Sequence, residues 1–308
     1  MDIFDQKSIH PMLIAEQQKP FDSPDYIYEL KLDGERVLVY LDKDSTVLQN
    51  KRGIILNTRY PELCELHKAA KVKCILDGEL IVMVDGKPKF SEIQRRSLLS
   101  NRMRIELASK QHPASFTAYD VLYCKNEPVM DRPLMERKRL LQTAFRENGT
   151  LALSRFIAGK GIALYDLAAK QGLEGVVAKR KDSLYYPGKR TKDWIKFKNL
   201  LDEDFVVCGY VEKSANVVSV ILGQYNQVGK LIDKGHVTLG VSREDFARIA
   251  SLPHSNAYFV SKSNENAVWV DIKLVCTVKY MEKTPSGGLR QPVFKGLRDD
   301  KVPEECIE

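Results

Sequence analysis

The octapeptide Glu29-Leu30-Lys31-Leu32-Asp33-Gly34-Glu35-Arg36 interrupts an otherwise apolar run, and it constrains this chain more than any other stretch. Tyr26, Ile27, Tyr28 and Leu30 surround its start, and Val37, Leu38, Val39, Tyr40 and Leu41 follow it. Runs rich in β-branched and aromatic residues read as strands, and Asp33-Gly34 is a turn signal. A lysine between strand and turn has little freedom to swing. A charged surface hairpin would show the same pattern, and a bare K-x-D-G recurs by chance. The stretches downstream therefore decide the reading.

At 308 residues the chain is long enough for two domains. With 44% apolar and 29% charged residues it has the balance of a soluble globular protein. No apolar run approaches the roughly 20 residues of a membrane-spanning helix. The start, Met1-Asp2-Ile3-Phe4-Asp5-Gln6, lacks the basic-then-apolar layout of a signal peptide. The six cysteines form no C-x-x-C pair, and they read as reduced thiols of a cytosolic protein rather than a zinc site or disulfide frame. The formal charge of +7 is compatible with a polyanionic partner. Arg95-Arg96 and Lys189-Arg190 belong to the basic clusters that are candidates for DNA phosphate contacts.

Residues 1–25 carry three prolines and read as irregular, and strands dominate from 26 to 90. Asp85-Gly86-Lys87 reads as a hairpin turn, and Ser91 with Gln94 as a capping box opening a short helix. Phe116–Tyr123 is expected to be a strand. Helices are expected from Pro133 to about Phe145 and over Ile162–Gln171, with strands at Gly175–Lys179 and Asp193–Phe197. The tract Asn199-Leu200-Leu201-Asp202-Glu203 marks a boundary, giving domains 1–200 and 201–308. Beyond it lie short β runs at Asp204–Val211, Val217–Gln224, Leu231–Val241, Ala257–Val260 and Val268–Lys279, with one helix, Glu244–Ser251. That set suits a small barrel of the OB type.

Five further stretches carry functional groups. They are Asn50-Lys51-Arg52-Gly53, Leu76-Asp77-Gly78-Glu79-Leu80, Phe116-Thr117-Ala118-Tyr119-Asp120, Glu174-Gly175-Val176-Val177-Ala178-Lys179 and Trp194-Ile195-Lys196-Phe197-Lys198. Lysines and acids gathered on strand ends suit phosphoryl or nucleotidyl transfer. An amine attacks phosphorus only when deprotonated, and burial or neighbouring cations lower its pKa. Carboxylates such as Glu79 and Glu174 are hard oxygen ligands of the kind magnesium takes. No Walker sequence is present, so a P-loop mechanism is not expected. Trp194 reads as core or hinge packing rather than a ligand contact, and Asp77 reads equally as structural or metal-binding.

Together with Gly288-Leu289-Arg290-Gln291-Pro292-Val293-Phe294-Lys295-Gly296-Leu297-Arg298-Asp299-Asp300-Lys301, these stretches resemble, in order, motifs I, Ia, III, IIIa, IV, V and VI of the covalent nucleotidyltransferases, and specifically of ATP-dependent DNA ligases. The tail, Tyr60-Pro61-Glu62-Leu63 and Phe90–Arg95 are most similar to the ligase module of bacterial end-joining enzymes. The resemblance spans about residues 30 to 301. It implies an α+β fold: an adenylation (nucleotidyltransferase) domain of antiparallel sheets with flanking helices, followed by an OB-fold barrel. It also implies that Lys31 is the nucleophile that becomes adenylylated by ATP. Glu29 frames the adenine, and Tyr119 and Val177 lie on its two faces. Arg36 and Glu79 address ribose or phosphate, and Lys196 and Lys198 the α-phosphate. Glu79 and Glu174 position magnesium or manganese. Arg298 and Lys301 orient the pyrophosphate. Nicked duplex DNA is the implied partner of what is expected to be a monomer of bacterial or phage type. The DNA is either clamped by the two domains or delivered by an end-binding protein.

The sequence departs from the family at the basic turn, which usually reads S-R-x-G. Either Lys51 takes the arginine position or Arg52 substitutes from next to it, and a lysine lacks arginine's bidentate phosphate contact. RNA ligases and mRNA capping guanylyltransferases share the first motif, but the R-x-D-K ending favours DNA ligases. A non-catalytic OB-type binding protein would not need every motif lysine and acid intact, as they are here.

Overall fold

The protein was analysed as a computed structural model that describes residues 2–16, 19–214, 217–260, 262–284 and 286–308. The chain divides into two units, Met1–Asn199 and Leu200–Glu308, which meet inside the expected boundary tract.

The first unit contains, in order, α1 (Ile3–Gln6), β1 (Leu13–Glu16), β2 (Tyr26–Leu30), β3 (Glu35–Leu41), β4 (Thr46–Asn50), β5 (Cys74–Val84), β6 (Lys87–Pro88), α2 (Phe90–Ser97), α3 (Arg102–Gln111), β7 (Ala114–Cys124), β8 (Glu127–Pro128), α4 (Leu134–Ala144), β9 (Leu151–Leu153), β10 (Phe156–Ala158), α5 (Gly161–Lys170), β11 (Gly175–Arg180) and β12 (Arg190–Lys198). They build two sheets. One has the order β1-β12-β11-β2-β10, and the other runs β4-β3-β5-β7-β8 with β6 on β5 and β9 on β7. Both sheets are antiparallel except where β1 joins β12 and β9 joins β7.

Strand alternation turns the apolar runs into three layers of core. Ile27, Leu38, Tyr40, Ile75 and Trp194 fill the space between the sheets. Val37, Val39, Leu41, Leu76 and Leu80 face the other way, toward Ile93 of α2 and Leu141 of α4. Tyr28, Val176, Ala178 and Phe197 pack on Leu164 and Ala168 of α5. Because both faces of the central strands are covered, apolar residues stand on both of their faces, interrupted by the charged residues Glu29, Arg36, Asp77, Glu79 and Lys179.

The strands on either side of the octapeptide do not form a hairpin. β2 and β3 belong to different sheets, and Lys31 to Gly34 bridge them. The need for Gly34 is close approach rather than turn geometry, because a Cβ there would lie 2.1 Å from the Leu80 carbonyl oxygen. Two other expectations also shift. α2 begins at Phe90 with Lys89 as N-cap and no side-chain cap, so Ser91 and Gln94 form no capping box. α3 is an additional helix that the sequence pattern did not reveal; its start is fixed by Asn101, whose side chain accepts from the Arg104 N–H.

The second unit is a curled, six-stranded antiparallel sheet made of β13 (Leu201–Ser214), β14 (Val217–Tyr225), β15 (Leu231–Val237), β16 (Val268–Trp269), β17 (Val275–Tyr280) and β18 (Val293–Arg298), with one helix, α6 (Arg243–Ala250). Ser242 caps α6 by accepting from the Asp245 N–H. The expected strand Val268–Lys279 is split. β16 and β17 both pair with β13, and the residues between them bulge out of the ladder. Ala257–Val260 is not a strand: Tyr258 instead bonds Ser255 and the Val270 carbonyl and packs its ring on Trp269. Among the described residues, no helix is long and apolar enough to cross a membrane.

Candidate functional site

The same period of two that sorts the core also gathers the polar groups. Glu29 shares a face with Ile27, Arg36 with Leu38, Asp77 and Glu79 with Ile75, and Lys196 and Lys198 with Trp194. Those apolar residues fill the space between the sheets, so the charged ones extend the same facing surfaces toward one end of the unit.

Lys31 follows the last residue of β2, and its N–H donates to the Gly175 carbonyl at 2.9 Å. Its Nζ donates to Glu174 Oε2 at 2.7 Å. Gly175 has φ of 141°, and a Cβ there would stand 2.0 Å from the Phe197 carbonyl oxygen, so only glycine lets β11 carry Glu174 this close to β12. Glu79 lies directly across from Arg36 in the ladder. Burial pushes its carboxyl up to about 8, Lys31 and Arg36 oppose that rise, and Glu174 and Asp77 add to it. Lys196 reaches Glu16 of β1 at 2.9 Å, and Lys198 reaches the same carboxylate at 3.7 Å. Burial and the charge of Lys196 lower the Lys198 pKa.

Arg36 is largely committed inside the protein. Its guanidinium grips Asp77 through two bonds, Nε to Oδ1 at 3.0 Å and Nη2 to Oδ2 at 2.6 Å, and donates to the Met12 carbonyl at 2.6 Å. Asp77 is wholly buried and also accepts from the Tyr185 hydroxyl at 2.8 Å, which decides between its two readings in favour of structure. The Arg36 guanidinium lies 5.6 Å from the Tyr119 ring centroid.

Glu29 is buried and bonded to three groups: Lys138, Lys179 at 2.9 Å and the Ser154 hydroxyl at 3.1 Å. Lys179 is held 4.2 Å from the ring centroids of both Tyr119 and Trp194. Burial lowers its pKa to about 8, against the pull of Glu29. Val177 stands opposite both Glu29 and Lys196 in the sheet. Trp194 has no exposed surface, as expected of core packing. Beneath this layer Arg137 of α4 grips Asp120 of β7 with two bonds of 2.9 Å, both side chains fully buried.

The remaining candidates belong to other elements. Lys51 and Arg52 are exposed on the turn after β4, where the Asn50 side chain accepts from the Arg52 and Ile54 N–H groups. Arg298 and Lys301 belong to the second unit. There Asp204 accepts from Lys301 at 2.6 Å, and Asp300 takes Arg298 through bonds of 2.7 and 2.6 Å. Arg95, Lys189 and Arg190 are exposed, Arg95 paired with Glu92. Arg96 corrects the basic-cluster reading. It has no exposed surface, and its guanidinium is spent on the Glu62 carboxylate and the carbonyls of Arg59 and His112. A side chain so enclosed does not meet DNA.

Sequence reasoning missed Lys138, Tyr185, Glu16 and Asp204. Lys138 left a trace: on α4 it falls on the stripe that runs from Leu134 to Leu141, so the helix buries it and a buried partner has to exist. Glu79 and Glu174 offer two carboxylates to a divalent cation, and the charge that Glu79 finds hard to keep when buried is one a cation would stabilise, so the pair fits magnesium. Among the described residues no group of three or more His, Cys, Asp or Glu could hold a metal alone, which leaves a cation to complete its shell with water and phosphate oxygens.

Comparison with known proteins identifies the family. Residues 10–198 match the family model of the ATP dependent DNA ligase domain, and residues 213–301 match the ATP dependent DNA ligase C terminal region. The chain is 30% identical over 99% of its length to the multifunctional non-homologous end joining DNA repair protein LigD of Mycobacterium tuberculosis, of which it spans 40%. It is 32% identical to DNA ligase C1 of Mycolicibacterium smegmatis, covering 99% of this chain and 94% of that one. The structure described as mycobacterial DNA ligase D complexed with ATP and MES superposes with a TM-score of 0.59 at 29% identity, over 100% of both chains. With one family model matching well over half of its length, and with these relatives, the chain belongs to the ATP-dependent DNA ligases.

Proposed function

We propose that this chain seals nicks in duplex DNA, using ATP, through a covalent AMP on Lys31. The observation that carries the reading is the Lys31 amine, which is fixed at a strand end, bonded to Glu174 at 2.7 Å and flanked by Glu79 and Lys198. In the first step Nζ attacks the α-phosphorus, a P–N bond forms, the bond to pyrophosphate breaks, and the amine proton passes to the carboxylate beside it. AMP then moves to a 5′-phosphate as the P–N bond breaks. In the last step the 3′-hydroxyl attacks that phosphate and AMP leaves.

Lys196 and Lys198 stabilise charge developing on the α-phosphate, and Tyr119, Val177 and Glu29 hold the adenine. Arg36, already anchored by Asp77, presents its remaining N–H to ribose or phosphate. Glu79 and Glu174 are the residues that would hold magnesium, which when bound neutralises phosphate charge. Lys51 and Arg52 are candidates for the family's basic-turn contact, Arg298 and Lys301 serve the step in which pyrophosphate leaves, and Arg95, Lys189 and Arg190 contact DNA phosphates. The six cysteines, all free thiols, suit a cytosolic protein, and we take it to act as a monomer. The likeness to LigD favours DNA end joining as the pathway, with an end-binding protein as a second partner.

The test is to load the protein with labelled ATP or GTP, then to supply nicked DNA or nicked RNA. Labelling by ATP and sealing of DNA support the reading. Labelling by GTP would indicate a capping enzyme, and sealing of RNA alone an RNA ligase.

A further inference from the structure

Outside the motif residues, one carboxylate stands at the meeting point of three strands of the second unit. Asp204 of β13 accepts from Lys301 Nζ at 2.6 Å through Oδ2 and from the Thr277 hydroxyl of β17 at 2.6 Å through Oδ1. Arg298, at the end of β18, places Nη1 at 3.4 and 3.5 Å from the same two oxygens. Asp204 is less exposed than either cation; its side chain is 14% exposed, against 36% for Lys301 and 34% for Arg298. The neighbouring acids are otherwise engaged, with Asp300 on Arg298 and Asp299 on Arg248. The ladder fixes Asp204 directly opposite Thr277, and β17 is itself zipped to β18.

A lysine on a loop end spreads over many rotamers unless something holds it, and that ordering is lost freedom in any step that uses it. We propose that Asp204 is a positioning residue for self-adenylylation, holding the Lys301 ammonium and the Arg298 guanidinium in the arrangement that step requires. The proposal rests on the reading that Lys301 and Arg298 serve the ATP-dependent step.

The experiment uses the full chain with Asp204→Asn, which keeps the shape and can still bond Thr277 but lacks the charge. Self-adenylylation by ATP, sealing of a pre-adenylylated nick, and melting temperature are measured side by side. Asp204→Asn should slow self-adenylylation roughly tenfold, the scale of coupling between adjoining residues. Sealing of the pre-adenylylated nick and the melting temperature should change little, and Asp204→Glu should recover most of the loss. In a Lys301→Ala background Asp204→Asn should add at most a small further loss, through Arg298. Equal losses on both reactions, full additivity with Lys301→Ala, or faster adenylylation would overturn the proposal. If Lys301→Ala itself spares adenylylation, the underlying reading of Lys301 fails; if it is selective while Asp204→Asn is silent, only the role of Asp204 fails.

Discussion

Arg96 separates a structural cation from a DNA-binding one. Its guanidinium touches Glu62 through both Nη atoms, with a 3.1 Å bond to Oε2, and stacks 4.7 Å from the Tyr60 ring centroid. Glu62 in turn accepts from the Ala114 N–H at 2.9 Å, which ties α2 to the start of β7. Arg96→Met keeps much of the stem and deletes the charge, so Glu62 is left facing a low-dielectric interior. Removing one partner of a buried pair costs about 3–5 kcal/mol. An exposed pair such as Arg95–Glu92 is worth about 1 kcal/mol at most. For a unit of this size each kcal/mol moves the melting temperature by roughly 2–4 °C, so Arg96→Met should melt roughly 6–20 °C lower. Replacing Glu62 by Met as well should recover part of the loss, because no charge is then stranded.

The assay pairs calorimetry with nick binding across a salt series. Arg96→Met, measured below its melting transition, should bind with an unchanged slope of log affinity against log salt. Alanine at Arg95, Lys189 or Arg190 should leave melting almost unchanged and reduce the slope by about 0.9 for each phosphate that is no longer neutralised. An Arg96→Met protein that melts like the parent and has a flatter slope would refute the reasoning, since the side chain would then have to reach the DNA.

Three further outcomes follow from the site. Lys31→Ala should abolish labelling by ATP yet still seal a pre-adenylylated nick slowly; covalent AMP on the variant, seen by intact mass, would remove Lys31 from its role. Glu174→Ala should lower activity roughly a hundredfold or more, the scale of several kcal/mol of lost metal assistance, and weaken magnesium affinity. Unchanged affinity without rescue at high magnesium or manganese would make Glu174 structural. Lys179→Met should change the pH dependence of stability. The folded pKa of about 8 lies below the usual 10.5, so the unfolded chain binds more protons between those values and stability rises with pH across that window. Below pH 8 the whole penalty of about 3 kcal/mol is present. The stability of the parent relative to Lys179→Met should therefore grow from pH 8 to 10.5, and a difference that is flat with pH, read from urea midpoints, would sink the assignment.

What the sequence made legible follows from locality. Alternation along the strand assigns Lys196 and Lys198 to one face from neighbouring residues alone. The boundary tract could be read in the same way, because composition changes there within a few residues. The sequence could not say that β2 and β3 join different sheets, since β3 pairs with the nearby β4 and β5 while the partners of β2, β10 and β11, lie more than a hundred residues away. Nor could it say which basic residue of a doublet is buried. Arg95 and Arg96 look alike in sequence, but successive residues on a helix point about 100° apart, so α2 leaves one in solvent and drives the other onto Glu62.

The pairings of the site were hidden for the same reason. Glu29 meets Lys138 across 109 residues and Lys179 across 150, and Asp204 meets Arg298 across 94. A motif identifies the member of each pair whose chemistry is read by ligand, but burial determines the partner. A buried or half-buried cation needs a partner of opposite charge, and in this protein that partner is an internal carboxylate: Glu174 for Lys31, Glu16 for Lys196 and Lys198, Glu29 for Lys179, Asp77 for Arg36. Glu29, Asp77 and Glu174 stand in the motif stretches themselves and Glu16 outside them, but spacing does not say which cation each one meets. They are nevertheless what allows so many positive charges to be held together in one unit.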